Sequence, residues 1–261
     1  MIPKIIHYCW FGKNPIPSVV KVCMNSWRKY CPDYQIIEWN ESNFDVFDCP
    51  YSTQAYEAKM WAFVSDYARI KILYEHGGIY MDTDVELLKN IDPLLDNKAF
   101  MGFETKLVVN SGLITGSEPK LPIMDKLIEE YQISKFKLED GSLNLTSCVE
   151  YQTTLLQRYG LVKENKIQNV EGIKIYPIAY FSPLNHYTGA VNIKEETYSI
   201  HRYEGTWVSE TTRYGYKLKW KYMNKYGLLV GRVFYMIPYI VYIISQEGIK
   251  GLIDKIKNKI I

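Results

Sequence analysis

The sequence predicts an α/β fold. Short β-branched runs alternate with helical stretches through the first third of the chain. The 47% apolar content of 261 residues suffices for one large core. Internal repeats and low-complexity tracts are not evident, which sets aside solenoids and disorder.

Taken in order, Ile5 to Trp10 reads as a buried first strand, Val19 to Lys29 as a helix and Gln35 to Trp39 as a second strand. A long helix is predicted over Ala55 to Glu75, where Trp61, Val64, Ala68 and Ile72 recur at helical spacing as an apolar stripe. His76, Gly77 and Gly78 end it, since glycine turns the chain through a left-handed conformation. The next run, "IYMDTDVE", reads as one strand with its acids at the far end. "KAFMGFE" and "VVNSGLITG" read as short strands, Pro122 to Ile133 and "SCVEYQTTLLQRYG" as helices, and "IKIYPIAYFSP" and "YSIHRYEGTW" as later strands or extended loops.

Charge divides the chain. The net charge is +2, but residues 213–261 carry +8 and residues 1–212 carry −6. The predicted domains are therefore 1–212 and 213–261, the second a basic and aromatic helical extension. Five cysteines with no Cys-x-x-Cys argue against a disulfide framework and a zinc knuckle, and read as reduced cytosolic thiols. The beginning, "MIPKIIHYCWFG", lacks the apolar core and cleavage site of an export signal.

"GGIYMDTDVE" aligns Asp82, Asp84 and Glu86 at alternate positions, so on a strand Asp82 and Asp84 share one face. Two such carboxylates call for a cation, and hard ions such as Mg²⁺ or Mn²⁺ prefer oxygen ligands. The bland reading is a solvated strand end, and a bare Asp-x-Asp decides nothing. The context adds more. Asp66 and Arg69, three apart on the helix, share a face and offer acceptors and forked donors to a sugar or phosphate, or form an ordinary surface ion pair. Tyr80 covers a nucleoside or simply packs. Trp10, at the end of the first strand, is a stacking surface for a base or a core residue. His201 completes a coordination shell or is structural, and Trp207 donates its indole N–H to a phosphate or packs. No Gly-x-Gly-x-x-Gly or Walker loop is present, so a bound nucleotide needs a metal and side chains to hold its phosphates.

Together, "IPKIIHYCWFG" and "SDYARIKILYEHGGIYMDTDVE" resemble glycosyltransferase family 32, the DXD sugar-binding transferases that include capsular polysaccharide and lipopolysaccharide sugar transferases and fungal mannosyltransferases. The similarity is strong over residues 1–115 and reaches "SIHRYEGTW" more loosely. It implies a GT-A fold, the Rossmann-like nucleotide-sugar-binding fold, here with a C-terminal helical extension. It further implies a metal-dependent, retaining hexosyltransferase that uses a nucleotide-sugar donor, with UDP favoured over GDP. By position, Trp10 would stack on the base, Tyr80 would flank the nucleoside, and Asp66 and Arg69 would contact the donor sugar. Asp82, Asp84 and His201 would hold Mn²⁺ or Mg²⁺, Asn110 would stand near the donor or acceptor sugar, and Trp207 near the diphosphate. Glu150 is an acid within reach of the acceptor or a surface glutamate.

In the tail, "YGYKLKWKYMNKYG" mixes lysine with aromatics. "LLVGRVFYMIPYIVYII", about seventeen residues interrupted by Arg232 and Pro238, is marginal for spanning a bilayer. Attachment to an anionic membrane surface is the preferred reading, with a lipid-linked glycan acceptor at the cytoplasmic face. Helices packed on the catalytic domain are the alternative, and no nucleic-acid module is recognised. Two other functions compete: a non-catalytic carbohydrate-binding or membrane scaffold protein, and an aspartate-nucleophile phosphohydrolase. The latter wants its Asp-x-Asp after the first strand.

Overall fold

A computed structural model of the chain describes residues 1–205 and 210–260. The residues form two compact units, Met1–Leu184 with Asn192–Arg202, and Asn185–Val191 with Tyr203–Ile261.

The first unit is a layered α/β structure. In chain order it runs β1 (Ile5–Cys9), α1 (Ser18–Tyr30), β2 (Gln35–Trp39), α2 (Pro50–Glu57), α3 (Trp61–His76), β3 (Gly78–Tyr80), β4 (Val85–Leu87), β5 (Ala99–Glu104), β6 (Val108–Asn110) and β7 (Thr115–Ser117). Then follow α4 (Pro122–Ile133), α5 (Cys148–Arg158), β8 (Gln168–Val170), β9 (Ile173–Tyr176), the short α6 (Ile178–Phe181) and β10 (Ser199–His201). The main sheet has the order β2-β1-β3-β7-β5-β9-β8, with β6 beside β5. β1 is parallel to both β2 and β3, β7 is antiparallel to β3 and β5, and β5 is parallel to β9. The carboxyl ends of β2, β1, β3, β5 and β9 therefore meet at one edge. Because β1 is followed in sequence by a neighbour on one side and later by β3 on the other, its end lies at a topological switch point, where ligands of open α/β sheets bind.

Strand alternation divides the core. Ile6, Tyr8, Ile79 and Phe100 face α1 and its surroundings, whereas Cys9, Tyr80, Met101 and Phe103 face α3, α4 and α5. Trp27, fully buried on α1, donates its indole N–H to the carbonyl of Val85 at 2.7 Å and so fixes β4 beneath the sheet edge. All five thiols are free and buried.

Two sequence expectations are corrected. The long helix is two, α2 and α3, because Lys59 adopts a left-handed φ of 58° between them. "IYMDTDVE" is two short strands, not one: β3 stops at Tyr80, and Val85 N–H bonds back to the carbonyl of Asp82 at 3.0 Å to close a turn before β4. β4 then leaves the main sheet and pairs antiparallel with β10, Val85 opposite His201.

In the second unit, α7 (Glu210–Tyr226) and α8 (Leu228–Ile260) pack against each other, with the Tyr222 ring stacked on Phe234 at 3.7 Å. Gly231 allows the approach, since a Cβ there would lie 2.4 Å from the Met223 Cβ. The helix runs through Arg232 and Pro238 and kinks at Gly248, φ 68°. Leu229–Ile249 is thus a 21-residue apolar helix of mean hydropathy 1.4, only 17% buried, and long and apolar enough to cross a membrane. The composition change at residue 213 falls inside α7.

Candidate active site

The acids at the carboxyl edge are placed by a turn and not by strand alternation. Asp82 N–H donates to the carbonyl of Gly112 at 3.0 Å, and Arg202 N–H donates to the carbonyl of Asp84 at 3.0 Å. Those two backbone bonds tie the turn to the loop before β7 on one side and to β10 on the other. Glu86, the third acid of the motif, points elsewhere: its carboxylate takes the Arg202 guanidinium at 2.8 and 2.5 Å.

Asp66 and Arg69 share a helix face as the spacing predicts, but that face is buried, at 8% and 4% exposure, which rules out a surface ion pair. The Arg69 guanidinium bridges Asp66 at 3.0 Å and Asp82 at 3.2 Å, and its Nε donates to the Ser65 carbonyl. It lies over the Tyr80 ring, and the Tyr80 hydroxyl donates to Asp82 at 3.0 Å. At 1% exposure Tyr80 acts on Asp82 and Arg69 and presents no open ring face. Burial raises both Asp66 and Asp82 above the ordinary carboxylate range; Arg69 opposes this for each, and Asp84 adds to it for Asp82. For Arg69 burial favours loss of the proton, but Asp82, Tyr80 and Asp66 outweigh it and hold the cation.

On the other side of the turn, His201 Nε2 lies 3.0 Å from Asp84 Oδ1. Burial would push the imidazole down, but Asp84, Asp82 and Glu104 together raise it to about 9. With no cation bound, the protonated ring offsets the charge of Asp84; a divalent cation at the acids would take over that role and leave the ring neutral, the form that can ligate. Asn110 is buried and its side chain organises the adjoining loop: Oδ1 accepts the Gly112 N–H at 2.7 Å and Nδ2 reaches Glu104 at 3.3 Å. Trp10, half-buried at the end of β1, donates its indole N–H to the Asn14 carbonyl and lines a cavity of about 500 Å³. Trp207 lies outside the described residues. Glu150 is exposed on α5 and is not part of this cluster.

Five residues absent from the sequence reading build the site. A Cβ on Gly112 would stand 2.1 Å from Asp82 Oδ2, so any larger residue would displace that carboxylate. Gln152 accepts the Ser111 N–H and donates to its hydroxyl, fixing that loop from α5. Cys148 sits beside Arg69 and Asp66. Glu104 ends β5 at the same edge, buried. His7, in β1, accepts the Trp39 indole N–H on Nδ1 at 3.0 Å, so its Nε2–H donates to the Gly77 carbonyl at 2.9 Å, which anchors the turn into β3. The glycine after "VVNS" was the one such signal legible in sequence; the others became visible once helix and sheet met.

Among the described residues no three His, Cys, Asp or Glu side chains converge as a ready-made cation cage. Asp82, Asp84 and His201, the ligand set expected from sequence, are thus not gathered into a complete cage; Mg²⁺ and Mn²⁺ are commonly held by one or two carboxylates together with substrate phosphates. Asp82 and Asp84 lie within each other's field, and His201 rests on Asp84, so the donor chemistry fits such an ion.

A mixed sheet with its acidic turn at the carboxyl edge, beside the switch point, defines a GT-A fold. Residues 17–101 match the family described as glycosyltransferase sugar-binding region containing DXD motif. The matched stretch contains Asp66, Arg69, Tyr80, Asp82 and Asp84. The chain is 32% identical over 151 residues to inositol phosphoceramide mannosyltransferase 1 of Schizosaccharomyces pombe, covering 52% of this chain and 44% of that protein. It is 28% identical to an uncharacterized glycosyltransferase of Acanthamoeba polyphaga mimivirus over 72% of this chain and 75% of the viral protein. The chain thus spans less than half the length of the first of these relatives. Among solved structures, the PaToxG glycosyltransferase superposes with a TM-score of 0.47 at 19% identity, covering 60% of this chain and 69% of that one.

Proposed function

We propose that the protein is a metal-dependent, retaining glycosyltransferase that moves a hexose from a nucleoside diphosphate sugar to a lipid-linked surface glycan. The observation that carries the reading is the buried bridge Asp66–Arg69–Asp82 beside Asp84–His201, at the sheet edge where nucleotides bind. A single structural ion pair does not call for two acids desolvated around one arginine with a third beside them.

In this reading Trp10 stacks on the base, and Asp66 and Arg69 contact the donor sugar. Asp84 and Asp82, with His201, hold a divalent cation, Mn²⁺ or Mg²⁺, which when bound supplies Lewis-acid stabilisation of the leaving diphosphate. Tyr80 and Arg69 keep Asp82 oriented. The sugar–phosphate C–O bond breaks with its electron pair on the diphosphate. The acceptor hydroxyl attacks the same face, and its proton passes to the departing phosphate oxygen, so no separate base is assigned. Asn110 and Gly112 shape the loop beside the sugar, and Trp207 is assigned to the diphosphate by resemblance. The basic, aromatic α7 and the exposed apolar α8 support attachment to the anionic cytoplasmic face of the membrane, where a lipid-linked acceptor resides.

Metal-dependent hydrolysis of UDP- and GDP-sugars is the test, in the wild type and Asp84→Ala. Turnover that requires Mn²⁺ or Mg²⁺ and is lost in the variant supports the proposal; equal turnover in both excludes the metal role. Absence of nucleotide binding favours a carbohydrate-binding or scaffold protein, and hydrolysis of simple phosphomonoesters favours a phosphohydrolase.

A further inference from the structure

The cavity at the carboxyl ends of β1 and β2 is walled by Trp10, Lys13, Glu38, Asn40 and Glu41 and measures about 500 Å³, large enough for a purine with part of its ribose. Its polar groups are unevenly available. The donors on Trp10, Gly12 and Asn40 are already turned onto protein acceptors: Trp10 Nε1 to the Asn14 carbonyl at 2.6 Å, Gly12 N to Glu41 Oε1 at 2.7 Å, and Asn40 Nδ2 to Glu38 Oε1 at 2.9 Å. What remains facing the space is two carboxylates on the β2 side, with the exposed Lys13 ammonium and the Asn14 side-chain amide on the β1 side.

Bases differ in how they meet such a wall. Guanine carries two adjacent donors, N1–H and the 2-amino group, which match the two oxygens of a carboxylate, and its O6 accepts from an ammonium. Uracil places a single N3–H between two carbonyl oxygens, which would be forced against the carboxylates. Adenine pairs one amino donor with an acceptor nitrogen. A wall whose acceptors are left unpaired or opposed by the wrong base discriminates more strongly than one that merely gains a contact.

From this arrangement we infer that the cavity selects a guanine base, so that the donor is a guanosine diphosphate sugar, opposite to the UDP preference expected from sequence. The inference rests on the nucleotide-sugar reading above. Of the two acids, Glu41 is assigned the base contact: its Oε1 is anchored by Gly12 N–H, whereas both oxygens of Glu38 already accept, from Asn40 and from the Tyr8 hydroxyl at 2.6 Å.

The test is isothermal titration of the full chain, in Mg²⁺, with GDP, UDP and inosine diphosphate, which lacks the 2-amino group. GDP is expected to bind at least about tenfold more tightly than UDP, the ratio of one charge-assisted hydrogen bond, and severalfold more tightly than inosine diphosphate. In Glu41→Gln, whose carbonyl still accepts Gly12 N–H, the preference for GDP over UDP should shrink about tenfold and that over inosine diphosphate should disappear. UDP binding as well as or better than GDP, or inosine diphosphate equal to GDP in the wild type, overturns the inference and leaves the transferase reading standing. Binding of none of the three overturns both.

Discussion

His201 Nε2 and Asp84 Oδ1 lie 3.0 Å apart across 117 residues of chain, brought together by the antiparallel pairing of β10 with β4. The strand that returns at the end of the first unit thus completes an edge begun by the acidic turn.

Removing this partner should weaken the cation site. His201→Ala is expected to lower Mn²⁺ affinity by about 10- to 100-fold, the usual effect of losing a group that orients or completes a ligand set. Titration calorimetry with Mn²⁺ measures it; unchanged affinity would show that the ring only neutralises Asp84.

Gly112 is the tightest steric constraint on the site. In Gly112→Ala the new methyl would occupy the position of Asp82 Oδ2 and press on Arg69 Nη1, 2.8 Å away. Overpacking of this kind costs about 1–3 kcal/mol. Urea unfolding should register that loss, and metal-dependent turnover should fall much further than stability does, because the carboxylate itself is displaced. A fully active variant would contradict the placement of Asp82.

His7 gives the fold a pH dependence. Burial is the main cause that lowers it from 6.5 to about 4, aided by His76 and opposed by its bond to Gly77. Between those values the unfolded chain binds more protons than the folded one. Stability is therefore complete above about pH 6.5 and declines as pH falls toward 4, by about 3 kcal/mol in all. Chemical denaturation at pH 7 and 4.5 would reveal the decline, and His7→Gln should flatten that part of the curve.

The helical unit should behave as a membrane surface. Leu229, Val233 and Val241 are 77%, 60% and 60% exposed on α8, beside a basic α7. The full chain is expected to sediment with vesicles containing phosphatidylglycerol, less so with phosphatidylcholine alone, and with a salt-sensitive component. Equal recovery from both lipids at low and high salt would remove the electrostatic contribution.

Much of this was written locally in the sequence. β1, α1, β2, α4 and the glycine stop after α3 were legible because period, β-branching and helix-ending glycines act over a few residues. So were Asp82 and Asp84 as close neighbours at the sheet's carboxyl edge, and Asp66 and Arg69 as neighbours on one helical turn. The split of the long helix at Lys59 and of the acidic strand after Tyr80 was not legible, because each depends on a backbone turn that packing imposes.

Residue identity and spacing alone determined an α/β protein with two aspartates close together after a strand and a basic, apolar tail. Which charges meet was settled in three dimensions. Arg69 became a buried bridge, Glu86 was taken by Arg202, Asn110 became a loop anchor, and Glu104 and Gly112 joined the edge from β5 and the loop before β7. Such pairings join residues tens to more than a hundred positions apart, and their strength comes from the loss of water around them, which exists only after the sheet and helices have closed.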